Sequence, residues 1–350
     1  MTRHHGTRWA LAAVAAISLL ATACGGGSDD AADGGSGGSG GKDLAGTIFV
    51  TGSSTVEPIS SLVGEAFNGD NSGVNITVEG PGTGDGFKKF CAGEADIADA
   101  SRTIKDEEKA LCASKGIDFV ELAIANDALS VITNTKNTAV TCLTKADLYG
   151  LMGPESDAVN TWAAAKAQGA TTDLPDAPFK IFAPGQESGT YDSFWDLAIK
   201  KIAEEKLGKD KAEEKKLRTF GGLADDNEII RGIQSADTSF GWVGFAFADQ
   251  ADVAKIKIDG GEGCVEPSKA TVADGTYPLS RTLYIYVNKA KAQKSEALKS
   301  FVSYYLENGA DFVEEADYVQ LPEADAKKSS ETWTAFADGS AAGSTTTTAG

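Results

Sequence analysis

The chain has 350 residues, of which 51 are acidic and 32 basic, so its formal net charge at pH 7 is −19. Such an acidic chain is a poor candidate for nucleic-acid binding, because a phosphate backbone is held by a basic surface. Its two histidines, His4 and His5, lie in a segment that we predict to be removed. Without histidine, Ser-His-Asp and Cys-His sites cannot form and metal ligands are limited to carboxylate oxygens. We therefore predict no catalytic residues, no cofactor and no metal site.

Residues 1–23 are predicted to be a lipoprotein signal peptide. A basic start precedes an apolar stretch, residues 9–20, that is too short to span a bilayer. The segment Leu-Ala-Thr-Ala-Cys that ends at Cys24 resembles the lipobox of bacterial lipoproteins, although the usual leucine lies one place closer to the cysteine. The alternative is a signal peptide without lipidation. We predict export and lipid anchoring through Cys24 to the outer face of the bacterial cytoplasmic membrane.

Two flanking segments have compositions that do not support a fold. Residues 24–42 are mostly Gly, Ser, Ala and Asp, which predicts a flexible tether. Residues 338–350, with their run of threonines, predict a disordered tail. The chain between them, about 290 residues, exceeds one ordinary hydrophobic core, so two lobes are expected.

Short apolar strands alternate with helical patterns between these segments. Three stretches consist of a strand, a loop of Gly, Ser and Thr, and a helix: strand 47–50 with loop 51–55, strand 74–78 with loop 80–86, and strand 179–182 with loop 184–191. Further strands are predicted at 95–98, 119–124, 129–132, 240–245 and 282–287. The alternation indicates an α/β architecture with mainly parallel sheets.

The three loops are candidate anion-binding elements. Their central residues are Ser53-Ser54-Thr55, Gly82-Thr83-Gly84 and Ser188-Gly189-Thr190. Each loop places hydroxyl groups and unpaired backbone N–H groups at a helix N-terminus, where the partial positive charge suits a small anion. Each also follows the carboxyl end of a strand, which is where open α/β sheets bind ligands. Together the loops predict a site for an anion of the size of phosphate.

Simpler interpretations of the loops remain open at this point. Each loop can be a plain helix N-cap, and the glycines of residues 80–86 can serve a tight turn alone. A nucleotide-binding phosphate loop does not fit, because it needs a lysine directly after the Gly-rich turn, and Phe87 precedes Lys88 here.

Three charged residues have two interpretations each. Arg102 follows a predicted strand and could bind an oxyanion through both guanidinium nitrogens, or it could form a surface ion pair with Asp99 or Asp106. Asp225 and Asp226 most simply cap the helix that follows them. Alternatively, one of them accepts a proton from the ligand, which would favour hydrogen phosphate over sulphate because sulphate has no proton to donate.

The cysteines agree with export. Four remain after Cys24, and an even number in an oxidising compartment predicts two disulfides, with three connectivities open. The four are Cys91, Cys112, Cys142 and Cys264.

Over residues 44–335 the chain resembles the phosphate-binding lipoproteins of high-affinity ABC phosphate importers. The motifs that carry the resemblance are residues 51–56, 80–87, 96–102 and 185–190. It implies an α/β protein with the type II periplasmic-binding-protein fold, in which two lobes with mixed sheets are joined by two crossing strands. It also implies a monomeric binding protein, not an enzyme, that takes up extracellular inorganic phosphate and delivers it to an ABC-type permease.

The resemblance assigns the phosphate ligands by motif. Those from the first lobe are Ser54, Thr55 and Thr83, and those from the second are Ser188, Gly189 and Thr190. Many members of the family have an arginine four residues before the serine, where this chain has Pro184. They often have an aspartate at the strand end where this chain has Ser101 and Arg102. We therefore add Ser101 and Arg102 to the expected site, with Arg102 as its cation.

The resemblance also implies the lobe boundaries. Crossing strands near residues 128–133 and 280–284 give lobe I as 44–128 plus 283–336 and lobe II as 133–279. A disulfide between lobes would lock the hinge, so the expected pairs are Cys91–Cys112 and Cys142–Cys264. The alternative functions are binding of another tetrahedral oxyanion, such as sulphate or molybdate, and a surface sensor or adhesin without transport.

Overall fold

Strands and helices alternate along the residues that the computed structural model describes, 44–186 and 188–339. The strands are β1 (Gly46–Gly52), β2 (Val74–Glu79), β3 (Ile97–Ala100), β4 (Phe119–Thr133), β5 (Cys142–Thr144), β6 (Lys180–Phe182), β7 (Ser239–Gly244), β8 (Ala254–Lys255), β9 (Lys257–Asp259), β10 (Cys264–Val265) and β11 (Ser280–Asn288). The α-helices are α1 (Glu57–Asp70), α2 (Thr83–Cys91), α3 (Asp106–Ser114), α4 (Lys145–Met152), α5 (Gly189–Phe194), α6 (Lys200–Leu207), α7 (Lys209–Lys215), α8 (Asp226–Ser235), α9 (Phe245–Gln250), α10 (Lys269–Ala273), α11 (Lys289–Lys294), α12 (Glu296–Glu315) and α13 (Glu323–Ala337). A 3-10 helix covers Ala163–Gln168, and a π-helix, Trp195–Ile199, joins α5 to α6. The predicted α/β alternation is confirmed.

The strands form a large mixed sheet and a small one. The large sheet has the order β2-β1-β3-β11-β4-β7-β6, with β8 paired to β4, and the small sheet has the order β10-β9-β5. The pairs β1–β2, β1–β3 and β6–β7 are parallel. By contrast, β11 is antiparallel to both β3 and β4, and β4 is antiparallel to β7. The expectation of mainly parallel pairing is therefore wrong for the centre of the large sheet, whereas the mixed sheet implied by the resemblance is confirmed.

Strand β4 changes its partner halfway along its length. Its first part pairs with β11 as far as Ala128, and its second part pairs with β7 from Leu129 onwards. The burial follows this change: residues are alternately buried and exposed near the start of the strand, and all are buried from Ala125 to Thr133. A strand that is covered on both faces is mostly apolar, and this buried stretch also contains four polar residues: Asn126, Asp127, Ser130 and Thr133. Replacing Leu129 with alanine is expected to destabilise the protein by about 2–5 kcal/mol.

The buried apolar side chains lie on two sides of this partner change. The largest cluster draws on residues between Ala128 and Leu279. A second cluster combines residues from Ile48 to Ala125 with residues from Leu283 to Trp333. In the second cluster the apolar face of α1 packs on α12, where the rings of Phe67 and Phe301 meet edge to face with centroids 5.4 Å apart.

Two disulfides staple the fold. Cys91–Cys112 joins α2 to α3, and Cys142–Cys264 joins β5 to β10 in the small sheet. These are the pairs that the family resemblance implies. They close loops with sequence separations of 21 and 122 residues, and cross-links of this kind typically contribute about 2–5 kcal/mol each.

Several predictions concern residues outside the described part of the chain. The signal peptide, the lipidation site at Cys24, the tether and the tail beyond residue 339 all lie there. Across 44–186 and 188–339, no helix is long and apolar enough to cross a membrane.

Candidate anion-binding site

The first loop, residues 53–55, links the end of β1 to α1. Gly52 is needed there because its φ is +151°, and a Cβ would lie 2.0 Å from the carbonyl oxygen of Asp99. The N–H of Ser53 donates to that oxygen at 2.9 Å, and the N–H of Thr55 donates to Oγ of Ser53 at 3.2 Å. Within the described residues neither the N–H nor the hydroxyl of Ser54 has a partner. The loop is thus anchored at Ser53 and offers unused donors at Ser54.

The second loop lies beside the first. The N–H of Gly82 donates to the carbonyl oxygen of Gly52 at 2.7 Å, and a Cβ on Gly86 would lie 2.4 Å from Cα of Gly52. The two predicted residues Thr83 and Ser101 meet here, with their hydroxyl oxygens 3.1 Å apart and the N–H of Ser101 donating to Oγ1 of Thr83. Because glycine stands at the N-cap of α2, no side chain caps its first N–H groups.

The third loop starts α5. Ser188 is its N-cap, and Oγ of Ser188 accepts from the N–H of Thr190 at 3.1 Å. The plain N-cap interpretation therefore holds for Ser188, but its hydroxyl proton is still free to donate. In the described part of the chain the hydroxyl of Thr190 has no partner, and neither has the N–H of Gly189 at the first helical position. This loop too offers several donors to an anion.

A buried arginine that the sequence patterns did not single out connects the first loop to α5, the helix that the third loop starts. Arg281 is the second residue of β11, and its side chain is 13% exposed. Its Nε donates to Asp127 at 3.0 Å and its Nη1 to Asp196 at 3.1 Å. Its Nη2 donates to the hydroxyls of Thr55 and Ser193, both at 3.1 Å. Thr55 belongs to the first loop and Ser193 to α5, so one guanidinium bridges both.

The positive charge of Arg281 is compensated by two neighbouring carboxylates. Burial disfavours the charge, but the carboxylates of Asp127 and Asp196 outweigh it and raise the pKa of Arg281. Asp196 comes from the π-helix after α5, a feature that is frequent at functional sites. One sequence signal pointed to this residue: Arg281 is the one charged side chain of β11 and comes just before the run Leu283–Val287.

Arg102, the expected cation, is engaged elsewhere. Its Nη1 and Nη2 bind both carboxylate oxygens of Glu108 at 2.8 and 2.7 Å, and its guanidinium lies 5.7 Å from the ring centroid of Phe87. The ion-pair interpretation holds, but both suggested partners were wrong: Asp99 is buried and bound by Ser60, and the partner is Glu108 rather than Asp106. A contribution of Arg102 to anion binding stays a prediction.

A cavity of about 160 Å³ adjoins the third loop. Its lining includes Gly189, Thr190, Asp226, Asp317 and Tyr318. Burial raises the pKa of Asp226 to about 6, with further contributions from Asp317 and Asp225. Burial also raises the pKa of Asp317. No sequence motif marks Asp317 or Tyr318, because both follow α12, far from every loop motif.

The structure separates the two candidate proton acceptors. Asp225 caps α8, with Oδ1 accepting from the N–H of Glu228 at 3.0 Å. Asp226 lines the cavity instead. A larger cavity of about 320 Å³ lies between β4, α12 and α13 and contains none of the predicted residues. Within the described ranges, no cluster of three or more Cys, His, Asp or Glu side chains could hold a metal ion.

Comparisons with known proteins agree with this architecture. Residues 37–308 match the family model of the PBP superfamily domain. Protein SphX of Synechocystis sp. is 38% identical over 281 residues, 79% of each chain, and the phosphate-binding protein PstS of Staphylococcus saprophyticus is 36% identical over 324 residues, 91% of this chain and 92% of the relative. A solved structure from Planctomyces limnophilus, described as a possible phosphate binding protein, is 37% identical with a TM-score of 0.75 and covers 84% of this chain and 99% of that one. The predicted fold class, the type II periplasmic-binding-protein fold, is confirmed, and the chain belongs to the PBP superfamily, in the family of the phosphate-binding protein PstS.

Proposed function

We propose that this protein binds inorganic phosphate outside the cytoplasm and delivers it, chemically unchanged, to an ABC-type permease. The observation that carries the proposal is the bridge formed by Arg281, which ties the first loop at Thr55 to α5 at Ser193. In the first and third loops, Ser54, Gly189 and Thr190 offer donors that lack partners in the described residues. In the second loop the hydroxyls of Thr83 and Ser101 are bonded to each other. A tetrahedral anion has enough oxygens to accept from all three loops at once.

The anion is bound mainly by neutral donors. Asp127 and Asp196 already compensate the charge of Arg281, and the net charge of the whole chain is −19. Long-range attraction of an anion is therefore absent, and the affinity arises from short hydrogen bonds in a site shielded from water. The phosphate ligands are Ser54, Thr55, Thr83, Ser101, Ser188, Gly189 and Thr190, together with Arg281.

Asp226 is the carboxylate that accepts the ligand proton. It lines the cavity beside Thr190, while Asp225 is occupied as a helix cap. An ionised carboxylate rejects a fully ionised anion and accepts a hydrogen bond from a protonated one. This role favours hydrogen phosphate over sulphate.

Binding closes two lobes, residues 44–128 plus 283–336 and residues 133–279, around the anion. Two observations support these boundaries: β4 changes its partner after Ala128, and the buried clusters divide at the same place. Arg281 lies on β11, one of the two strands that cross between the lobes. A site between lobes joined by two strands can open and close by hinge motion.

The protein acts as a monomer held at the outer face of the membrane by a lipid on Cys24. This part of the proposal is supported by the lipobox-like segment and the Gly-rich residues 24–42, which would let the folded body reach the permease. Mass spectrometry of the protein from its native membrane would detect the lipid on Cys24. An unmodified Cys24 would refute the anchor and leave the binding function intact.

Calorimetric titration with phosphate and with sulphate tests the binding function. The proposal predicts saturable binding of phosphate and at least hundredfold weaker binding of sulphate at pH 7.5, because a buried polar site rejects a ligand that leaves its groups unpaired. Equal affinity for the two anions would refute the phosphate assignment, and binding of neither would refute the function.

A further inference from the structure

A buried carboxyl group that the proposed binding mode does not use lies behind the first loop. Asp99 on β3 is 0% exposed. Its Oδ1 accepts from the hydroxyl of Ser60 at 3.1 Å, and that hydroxyl lies 3.1 Å from the hydroxyl of Tyr305 on α12. Oδ2 of Asp99 is buried and has no partner among the described residues. An ionised carboxylate in such a place would be poorly solvated.

The surroundings keep this carboxyl protonated. Burial raises the pKa of Asp99 to about 8, Glu57 adds to the increase, and the hydrogen bond from Ser60 opposes it. The titratable groups that face it are Glu57 on α1 and Tyr305 on α12, and burial raises the pKa of Tyr305 well above its usual range. The neighbouring positions on β1 and β11 are Gly52 and Ile285, which carry no charge.

The remaining neighbour, α2, brings charges that are compensated at the surface. Lys88 pairs with Asp85 and Lys89 with Glu79, each at 2.8 Å. No cation of α2 is therefore directed at Asp99, and at neutral pH the group is a neutral acid with one hydrogen-bonded oxygen.

Asp99 is attached to the first loop at two points. Its carbonyl oxygen holds the N–H of Ser53 at 2.9 Å. Its carboxyl is bonded to Ser60, in the first turn of α1, the helix that the first loop starts. A negative charge at this end of α1 would offset the partial positive charge that the helix N-terminus offers to an anion.

We propose that Asp99 is a positioning residue for the anion site, which supports the first loop as a neutral acid and weakens anion binding when it loses its proton. The inference rests on the proposed phosphate function. By reciprocity, a bound anion makes the loss of that proton harder, and the loss of the proton lowers the affinity for the anion by the same factor.

The test compares Asp99→Asn with the unmodified protein by phosphate calorimetry between pH 6.5 and 9.5. Asparagine has the shape of the neutral acid and cannot ionise. The protonation of phosphate affects both affinities alike, so it cancels in their ratio. We expect a ratio near one at pH 6.5 and about five- to tenfold tighter binding by Asp99→Asn at pH 9.5, because each pKa unit of coupling is worth tenfold. A ratio that does not change with pH would overturn the inference.

Ser60→Ala provides a second variant that separates positioning from packing. The hydroxyl of Ser60 favours the ionised form of Asp99, so its removal should move the fall in affinity to higher pH. A merely structural contact would change the affinity equally at every pH. If the unmodified protein binds no phosphate at all, the proposed function fails with the inference, whereas parallel profiles of all three proteins overturn the inference alone.

Unfolding gives a readout that needs no ligand. Between pH 4 and 8 the folded protein keeps a proton on Asp99 that the unfolded chain, with an aspartate pKa of about 3.9, has released. Stability from this group is therefore present below pH 4 and is lost as the pH rises to 8. The melting temperature of Asp99→Asn relative to the unmodified protein should rise from pH 5 to pH 8 and then level off, and a constant difference would contradict the inference.

Discussion

The surroundings of Arg102 and of Arg281 differ although both arginines adjoin a strand of the same sheet. Arg102 is one-third exposed and is bound by one carboxylate, Glu108, nearby in sequence. Arg281 is 13% exposed and gathers four partners from distant parts of the chain: two carboxylates and two hydroxyls. A local pair of the first kind is worth little, whereas a buried arginine holding several elements is costly to remove.

The difference shows that a sequence motif can identify a local pair but not a contact between distant parts of the chain. Arg102 stands inside a recognisable motif, and its tertiary contacts are local. Arg281 stands in no loop motif, and the fold brings it to Thr55 and Ser193 because β11 crosses the centre of the sheet. The assignment of the cation therefore depends on topology and not on the neighbours in sequence.

Replacing the bridging arginine should have the largest effect. Arg281→Gln leaves the buried Asp127 and the partly exposed Asp196 without their cation. Loss of the partner of the buried carboxylate costs about 3–5 kcal/mol of stability, and charge-assisted donors are removed from the site. Phosphate affinity should fall at least a hundredfold in calorimetry, and the melting temperature should fall as well. Arg281→Gln with Asp127→Asn removes one unpaired carboxylate and should recover part of the stability but not the binding. A folded Arg281→Gln protein that binds phosphate normally would refute the role of the bridge.

Asp226→Asn should have the next largest effect, and Asp225→Asn is its matched control. A hydrogen bond to a charged group is worth about 1.5–3 kcal/mol, so we expect roughly tenfold or greater loss of phosphate affinity at pH 7.5 and a relative gain for sulphate. In the unmodified protein this acceptor is lost as the pH falls through about 6. Asp226→Asn should therefore remove the dependence of phosphate affinity on pH in this range. Asp225→Asn keeps a good N-cap and should change neither the phosphate affinity nor the preference for phosphate over sulphate. The same anion selectivity in both variants would exclude Asp226 as the proton acceptor.

The loop hydroxyls test whether the two halves of the site contribute alike. Thr83→Val and Thr190→Val remove one hydroxyl each at nearly constant volume, and each should weaken phosphate binding about three- to tenfold, the usual worth of one neutral hydrogen bond. Thr332→Val is the control, because its hydroxyl is bonded to the carbonyl of Lys328 on exposed α13. An effect confined to one of the two loops would show that the anion is held by a single lobe.

The smallest effect is expected for Arg102→Gln. A partly exposed pair such as Arg102–Glu108 contributes about 1 kcal/mol or less to stability, and phosphate affinity should stay within about twofold because the proposed cation of the site is Arg281. A loss as large as that of Arg281→Gln would reverse the comparison and restore Arg102 as the cation.

Local sequence patterns predicted most of the fold. The alternation of strands and helices, the loops of Gly, Ser and Thr, and the mostly apolar second half of β4 all follow from local sequence patterns. The antiparallel centre of the sheet could not be read this way, since strand direction depends on how β11 returns from the far end of the chain.

The site was predictable only where its residues follow a strand and start a helix. Ser54, Thr83 and Ser188 have that context: Thr83 begins α2, Ser188 is the N-cap of α5, and Ser54 lies in the turn before Val56, the N-cap of α1. Arg281 and Asp317 do not, because their position depends on β11 and on the end of α12. Asp225 and Asp226 were equivalent in sequence, and burial distinguished them.

A crystal structure of the phosphate complex would distinguish the two arginines by their distances to the phosphate oxygens. We expect an anion held between the three loops, with an oxygen within about 3 Å of a guanidinium nitrogen of Arg281 and Arg102 still paired with Glu108. An anion bound to Arg102, with Arg281 paired only with Asp127 and Asp196, would contradict this expectation.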